Sequence, residues 1–387
     1  MKIALLTDGI YPFSVGGMQK HSYYLAKYLA AENHKIDLYY CSVTRPADTE
    51  FQKYFSKNEL NNIRFYFCPF PVMKKIPGHY IRASREYSLK ISELMFQNEL
   101  PDCIYAQGFC AWHLLEQKKK GKKIPPVAVN FHGLEMFQEI PGLKSKLKSL
   151  IFRKPVLFNI QNADLVFSLG GKLTGILRRI TGGKEKITEI PIGIGANWLE
   201  NSLAGEDNEK KFPLKFLFLG RYERRKGVEE INNAIKELSA LCLSKKIEFH
   251  FIGDIPEKIK IRLPFVFHHG IIRDEKEIRN RMKKCHILVC PSSAEGMPTV
   301  ILEAFSCSMS VMATDVGAVS ELVNEKNGWL LSHAGQLAGA MEQAINCNEE
   351  QLEEKGKAGR EKIMAEFTWD KIAKRTIDEL KKLTVGQ

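Results

Sequence analysis

Long apolar runs are missing from this chain of 387 residues, and none approaches the ~18–20 residues that a membrane-spanning helix needs. The opening stretch Met1-Lys-Ile-Ala-Leu-Leu-Thr-Asp8 is cut by Asp8 before it could serve as a secretory apolar segment, so it reads as a first buried strand. The nine cysteines include no Cys-x-x-Cys pair and have no histidine at zinc-ligand spacing, which argues against a structural metal; their odd number argues against a disulfide framework. Several lie inside apolar runs, as Cys290 does in His286-Ile-Leu-Val-Cys290, where buried thiols of a reducing compartment belong. The turn from Asp8 to Gly17 lacks Gly-x-Gly-x-x-Gly, which counts against a nicotinamide-dependent dehydrogenase. No Asp-x-Asp element stands in a context suited to a divalent cation, so no metal site and no cofactor are expected. There is no recognition-helix or zinc-finger signature, and nucleic acid is not expected as a partner. The expected location is the cytoplasm, either in solution or peripheral on the inner face of the cell membrane.

The composition that remains, 44% hydrophobic and 26% charged, is that of a globular protein, and the length suits two units. Lys2–Thr7, Lys35–Cys41, Ile63–Cys68, Asp102–Ala106, Val127–Phe131 and Asp164–Leu169 read as strands with helical patterns between most of them, the rhythm of a helix-covered parallel sheet. A polar stretch between Trp198 and Pro213 reads as a linker. The pattern then restarts with strands at Lys215–Gly220, Ile247–Gly253, Phe265–His268, His286–Cys290 and Ser310–Ala313, separated by helices such as Val228–Leu243, Glu275–Lys284 and Thr299–Cys307. The expected division is an N-terminal domain over 1–198 and a C-terminal domain over 199–366. A closing helix in 367–387, capped by Thr368, is expected to pack back on the first domain. The fold class is α/β with two doubly wound parallel sheets. Such sheets take ligands at the carboxyl ends of their strands, so those edges are expected to face a central cleft.

Charge is unevenly shared: residues 1–200 hold 28 Lys and Arg against 17 Asp and Glu, and residues 201–387 hold 29 against 28. The basic excess of the first half suits either an anionic partner or a merely solvated face. In the second half, the strand Lys215–Leu219 runs into Gly220-Arg221-Tyr222-Glu223-Arg224-Arg225-Lys226-Gly227, after which a helix begins. Arg221 and Lys226 could aim full charges at a diphosphate there, beside the amides of a helix N-terminus. Further on, Glu295 and Glu303 stand eight residues apart, separated by the Gly296-Met297-Pro298 turn and followed into a helix by Thr299 and Val300. Amides from Gly296 to Thr299 could meet an anionic or hydroxyl-rich ligand, and a carboxylate is a natural acceptor for a sugar diol. Taken singly, each of these elements could equally be a solvated turn or a helix face.

Together and in this order they resemble glycosyltransferase family 4, retaining enzymes of the double-Rossmann GT-B architecture, in which two glutamates are separated by seven residues. The resemblance also includes Gly16-Gly17 before the first helix, Phe131-His132-Gly133 at a strand end, and Asp315-Val316-Gly317 with Ser320-Glu321-Leu322-Val323. It implies that Glu303 binds the donor ribose and Glu295 the transferred sugar. It further implies that Arg221 and Lys226 hold the diphosphate with amides around Met297 to Val300, that His132 lies beside the sugar, and that Gly16 and Gly17 approach the donor phosphate. The implied activity is metal-independent transfer of a hexosyl-type sugar, with retention, from a UDP- or GDP-type sugar nucleotide. The first domain would serve the acceptor, a saccharide or lipid-linked molecule of cell-surface polysaccharide or glycolipid synthesis. A sugar-nucleotide epimerase of the same architecture is the alternative.

Two departures stand out. Pro191-Ile192-Gly193-Ile194-Gly195-Ala196-Asn197 replaces the polar Asn-Gly-x-Asp element common in the family, and Ser306-Cys307-Ser308-Met309-Ser310 replaces a small-Cys-Gly-x-Pro run. On the acceptor side, Lys118–Lys123 and the stretch 144–154 carry much of the charge. The second interleaves Leu147, Leu150, Ile151 and Phe152 with its cations, as either an amphipathic helix on anionic lipid or a surface helix packed on the sheet.

Overall fold

The computed structural model describes residues 1–14, 16–74, 76–139, 142–183, 186–199 and 213–385. The chain forms two compact units: Met1–Phe137 with Lys146–Gly193 and Trp369–Gln387, and Gln138–Ser145 with Ile194–Thr368.

The first unit is built on seven parallel strands, β1 (Lys2–Leu6), β2 (Lys35–Tyr40), β3 (Ile63–Phe67), β4 (Cys103–Gln107), β5 (Val127–Asn130), β6 (Leu165–Ser168) and β7 (Ile187–Glu189), in the order β3-β2-β1-β4-β5-β6-β7. The second has six, β8 (Lys215–Leu219), β9 (Glu248–Ile252), β10 (Val266–His268), β11 (Ile287–Cys290), β12 (Ser310–Thr314) and β13 (Gly328–Leu331), in the order β10-β9-β8-β11-β12-β13. Central strands such as β4 and β12 are buried along their whole length, because a parallel sheet with helices on both faces leaves neither face to water. Between them pack helices with one apolar stripe. Val228, Ile231, Ala234 and Ile235 of the helix Val228–Glu237 are buried in one core with Phe216, Phe218, Phe249 and Phe251. Strand order reverses between β1 and β4 in one sheet and between β8 and β11 in the other. Ligands of open α/β sheets bind beyond the carboxyl ends of the strands at such a reversal.

Several boundaries differ from expectation. Two short strands were not expected: β7 is only Ile-Thr-Glu, with no apolar run to announce it, and β13 is Gly-Trp-Leu-Leu, whose apolar run is just three residues long. The single helix expected over Val228–Leu243 is two, Val228–Glu237 and Ser239–Ser244, broken at Leu238. Thr368 does not cap the closing helix Trp369–Val385; its hydroxyl has no partner among the described residues, and its backbone bridges to Ile194 instead. That bridge, with the Ile194 amide donating to the Phe367 carbonyl at 2.7 Å, ties together the two ends of the second unit's long segment, Ile194–Thr368. The linker expected before Pro213 lies for the most part outside the described residues. The closing helix belongs to the first unit, where Trp369, 1% exposed, stacks on Tyr24 at 5.5 Å and meets the His21 ring edge-on at 5.1 Å.

Candidate active site

In the second unit, three loops leave the carboxyl ends of β8, β11 and β12 and are stitched together by backbone contacts. Gly227 adopts φ +75°, and a Cβ there would lie 2.4 Å from the Pro291 carbonyl oxygen. Gly317, at φ +56°, would place a Cβ 2.2 Å from the Glu295 oxygen. Only glycine satisfies both the left-handed backbone and the close approach. The Ser293 amide donates to the Arg225 carbonyl at 2.8 Å and the Ala318 amide to the Gly296 carbonyl at 2.8 Å. These contacts bring Lys226 of the first loop to Glu295 of the second at the β8/β11 reversal, with Arg221 on the same loop.

Glu295 is 6% exposed and clamped by two cations. Lys226 Nζ lies 2.5 Å from its Oε1 and Arg225 Nη1 lies 3.2 Å from its Oε2. Arg225 also donates to the Ala294 carbonyl at 2.9 Å and pairs through Nε with Glu223 at 2.8 Å. Arg221 pairs with the other oxygen of Glu223 at 3.2 Å, yet its side chain is 81% exposed and open to a ligand. Gln138, packed with this unit, donates from Nε2 to the Glu295 carbonyl at 2.7 Å. A carboxylate held by two cations is fixed in direction, and an incoming diphosphate competes with it for the same charges.

The helix Thr299–Ser306 starts after Pro298 with no side-chain cap, so its first amides offer donors and the positive end of the dipole. Pro298 is extended, at φ −68° and ψ 108°, and turns the chain from Gly296 and the buried Met297 into Thr299 and Val300. Glu303 lies one turn beyond, half-buried, on the same helix.

In the first unit, Gly16 and Gly17 open the helix Gly17–Ala31, which also lacks a side-chain cap. His132 follows β5, and its Nε2 lies 2.7 Å from Oε1 of Gln107, the last residue of β4. Burial pushes the His132 imidazole down to about 3, so it is neutral throughout the physiological range. Asp8, at the end of β1, accepts from Gln19 at 3.1 Å and from the Tyr80 hydroxyl at 3.4 Å, and burial raises its carboxyl above the ordinary value.

Sequence reasoning passed over Arg225, Gln107 and Gln138. Arg225 could have been found, since it lies between two residues that were singled out. The two glutamines belong to contacts that form only in three dimensions.

Residues 15–197 match the family described as Glycosyltransferase Family 4, and residues 213–347 match Glycosyl transferases group 1. A Bacillus subtilis protein ascribed to teichuronic acid biosynthesis, the glycosyltransferase TuaC, is 26% identical over 67% of this chain and 66% of its own length, just under two thirds. The uncharacterized glycosyltransferase MJ1178 of Methanocaldococcus jannaschii is 27% identical over 85% of this chain and 89% of its own. Among solved structures, the sucrose-phosphate synthase of Thermosynechococcus elongatus superposes with a TM-score of 0.76 at 18% identity, covering 100% of both chains. Anabaena HepE, solved with UDP-glucose, gives 0.66 at 16% identity over 99% of this chain and 100% of its own.

Proposed function

The chain belongs to the glycosyltransferases of GT-B architecture, consistent with family 4, and from that membership we propose that it moves a hexosyl-type sugar, with retention and without a metal, from a nucleoside-diphosphate sugar to a saccharide or lipid-linked acceptor. One observation carries this reading: Arg221, Arg225, Lys226 and the uncapped Thr299–Ser306 helix gather positive charge at a sheet reversal, where Lys226 and Arg225 hold the carboxylate of Glu295 and the helix itself carries Glu303. Departure of a nucleoside diphosphate concentrates negative charge on the leaving oxygens, and fixed cations with helix-end amides stabilise it without reorganising. Lys226 and Arg221 take that role here, with Arg225 holding the loop. Glu303 accepts from the ribose hydroxyls and Glu295 from the transferred sugar. His132 lies against the sugar, and Gly16 and Gly17 let backbone approach the phosphate. With no enzyme nucleophile assigned, the leaving phosphate assists deprotonation of the acceptor on the same face, which retains configuration.

UDP-glucose bound to HepE supports a sugar nucleotide as donor, and the role ascribed to TuaC supports a polysaccharide product. A membrane-proximal acceptor is supported by Leu147, Leu150 and Ile151, which are 58%, 47% and 46% exposed on the helix Leu143–Asn162 beside exposed Arg153 and Lys154. Apolar side chains among cations gain both from burial in lipid and from anionic headgroups.

The test is to incubate the protein with a panel of UDP- and GDP-sugars in a chelator, with oligosaccharide and lipid-extract acceptors, and to follow heat stability and nucleoside-diphosphate release. A new glycoside of unchanged anomeric configuration is expected. Release abolished by the chelator would remove metal independence, and an epimerised nucleotide sugar without glycoside would overturn the transferase reading.

A further inference from the structure

Gln107 is fully buried at the carboxyl end of β4 and touches two imidazoles at once. Its Oε1 lies 2.7 Å from Nε2 of His132, and its Nε2 lies 3.0 Å from Nδ1 of His21. A carbonyl oxygen only accepts and an amide nitrogen only donates. His132 therefore carries its proton on Nε2, and His21 presents a bare Nδ1 and carries its own proton on Nε2. The two rings meet edge-on with centroids 4.5 Å apart, and the His21 ring stacks on Tyr105 of β4, whose hydroxyl accepts from Asn130 at 3.0 Å. These histidines and Tyr105 are the titratable groups of this cluster, contributed by the first helix, by β4 and by the chain after β5. Burial keeps both imidazoles neutral. The remaining nitrogen of His132, Nδ1, is buried and has no partner among the described residues. A buried acceptor left unmet is costly and calls for a donor from elsewhere.

We propose that Gln107 is a positioning residue: by accepting from His132 while donating to His21, it holds His132 as the Nε2–H tautomer, so that the buried Nδ1 is a lone-pair acceptor for a hydroxyl of the sugar being transferred. This deepens the glycosyltransferase reading and rests on it for the identity of the hydroxyl. It also sets a specificity. A lone pair welcomes O–H and repels a carboxylate, so a sugar presenting a hydroxyl at that point binds and one presenting a carboxylate there is refused.

The full chain labelled with ¹⁵N-histidine tests this by long-range ¹⁵N–¹H correlation, with His132 assigned by comparison with His132→Gln. The wild type is expected to show His132 with a proton on Nε2 and none on Nδ1, unchanged between about pH 5 and 8. Gln107→Leu should give a second tautomer with Nδ1 protonated. Gln107→Glu keeps an acceptor for Nε2–H and should retain the tautomer while adding a charge, so that the His132 titration moves upward. A wild-type Nδ1 proton, an unchanged tautomer in Gln107→Leu, or an unshifted titration in Gln107→Glu would each overturn the positioning role; the last decides the matter should the leucine variant fail to fold. Titration with UDP-glucose, UDP-N-acetylglucosamine and GDP-mannose, with UDP and GDP as controls, then tests the hydroxyl. The bound sugar nucleotide should move the Nδ1 resonance and the nucleotide alone should not; a bound donor that leaves Nδ1 unmoved overturns that half. If none of the three binds while the tautomer results hold, it is the proposed function that fails.

Discussion

Two neighbouring cations in one loop have different work, because their surroundings differ. Lys226 is held 2.5 Å from a buried carboxylate, whereas Arg221 is 81% exposed. Lys226→Ala is expected to lower kcat for donor cleavage by about 10²–10³ and stability by about 1.5–3 kcal/mol, since Arg225 still neutralises Glu295. Steady-state kinetics and a urea midpoint check the two parts. Arg221→Ala should leave that midpoint unchanged. His132 carries a prediction with a definite sign. Its value of about 3 lies below that of an unfolded histidine. Between about pH 6.5 and 3 the unfolded chain then binds more protons than the folded one. The stability that His132 contributes is fully present above that window and is lost as pH falls through it. His132→Asn should therefore flatten the decline in urea midpoint between about pH 7 and 4.5. A decline as steep as the wild type's would mean that His132 is not buried as a neutral base.

Loops stitched by glycine and helices packed by apolar stripes respond oppositely to a methyl group. In Gly317→Ala the new Cβ meets the Glu295 carbonyl from a left-handed backbone, so a loss of about 1–3 kcal/mol is expected together with weaker donor binding. In Gly175→Ala, inside the helix Gly171–Thr181 with open space around the glycine, a gain of about 0.5–1 kcal/mol is expected. Denaturant midpoints and calorimetric donor titrations of the two variants separate a strained loop from a weak helix. The distinction was only partly legible in the sequence. Gly227 stands where a strand-to-helix turn is obvious from composition, but the carbonyls that exclude a side chain at Gly227 and Gly317 come from loops 64 and 22 residues away respectively.

The whole chain returns on itself at its end, since Trp369–Gln387 belongs to the first unit. Trp369 is buried against His21 and Tyr24, and Trp369→Ala is expected to cost about 3–5 kcal/mol, read as an earlier melting transition. The charge of the molecule is equally lopsided, with nearly all of the basic excess in residues 1–200. Sedimentation with phosphatidylserine vesicles should therefore retain the protein at low salt and release it at ~0.5 M, where screening is nearly complete. Leu150→Glu with Ile151→Glu should prevent retention even at low salt. Vesicles that never retain the wild type would remove the lipid surface from the proposed function.

Composition and periodicity were enough to establish two parallel α/β sheets, the restart of the pattern beyond residue 212, and the loops that carry Arg221, Lys226, Glu295 and Glu303, because a buried parallel strand must be apolar throughout and its carboxyl end must turn. Folding alone revealed Arg225 bonded to Glu295, Gln107 bridging His132 and His21, and Thr368 paired with Ile194. Those contacts join residues 70, 25, 86 and 174 positions apart, and hydrophobic periodicity records which face of an element is buried but not which distant polar group it will meet.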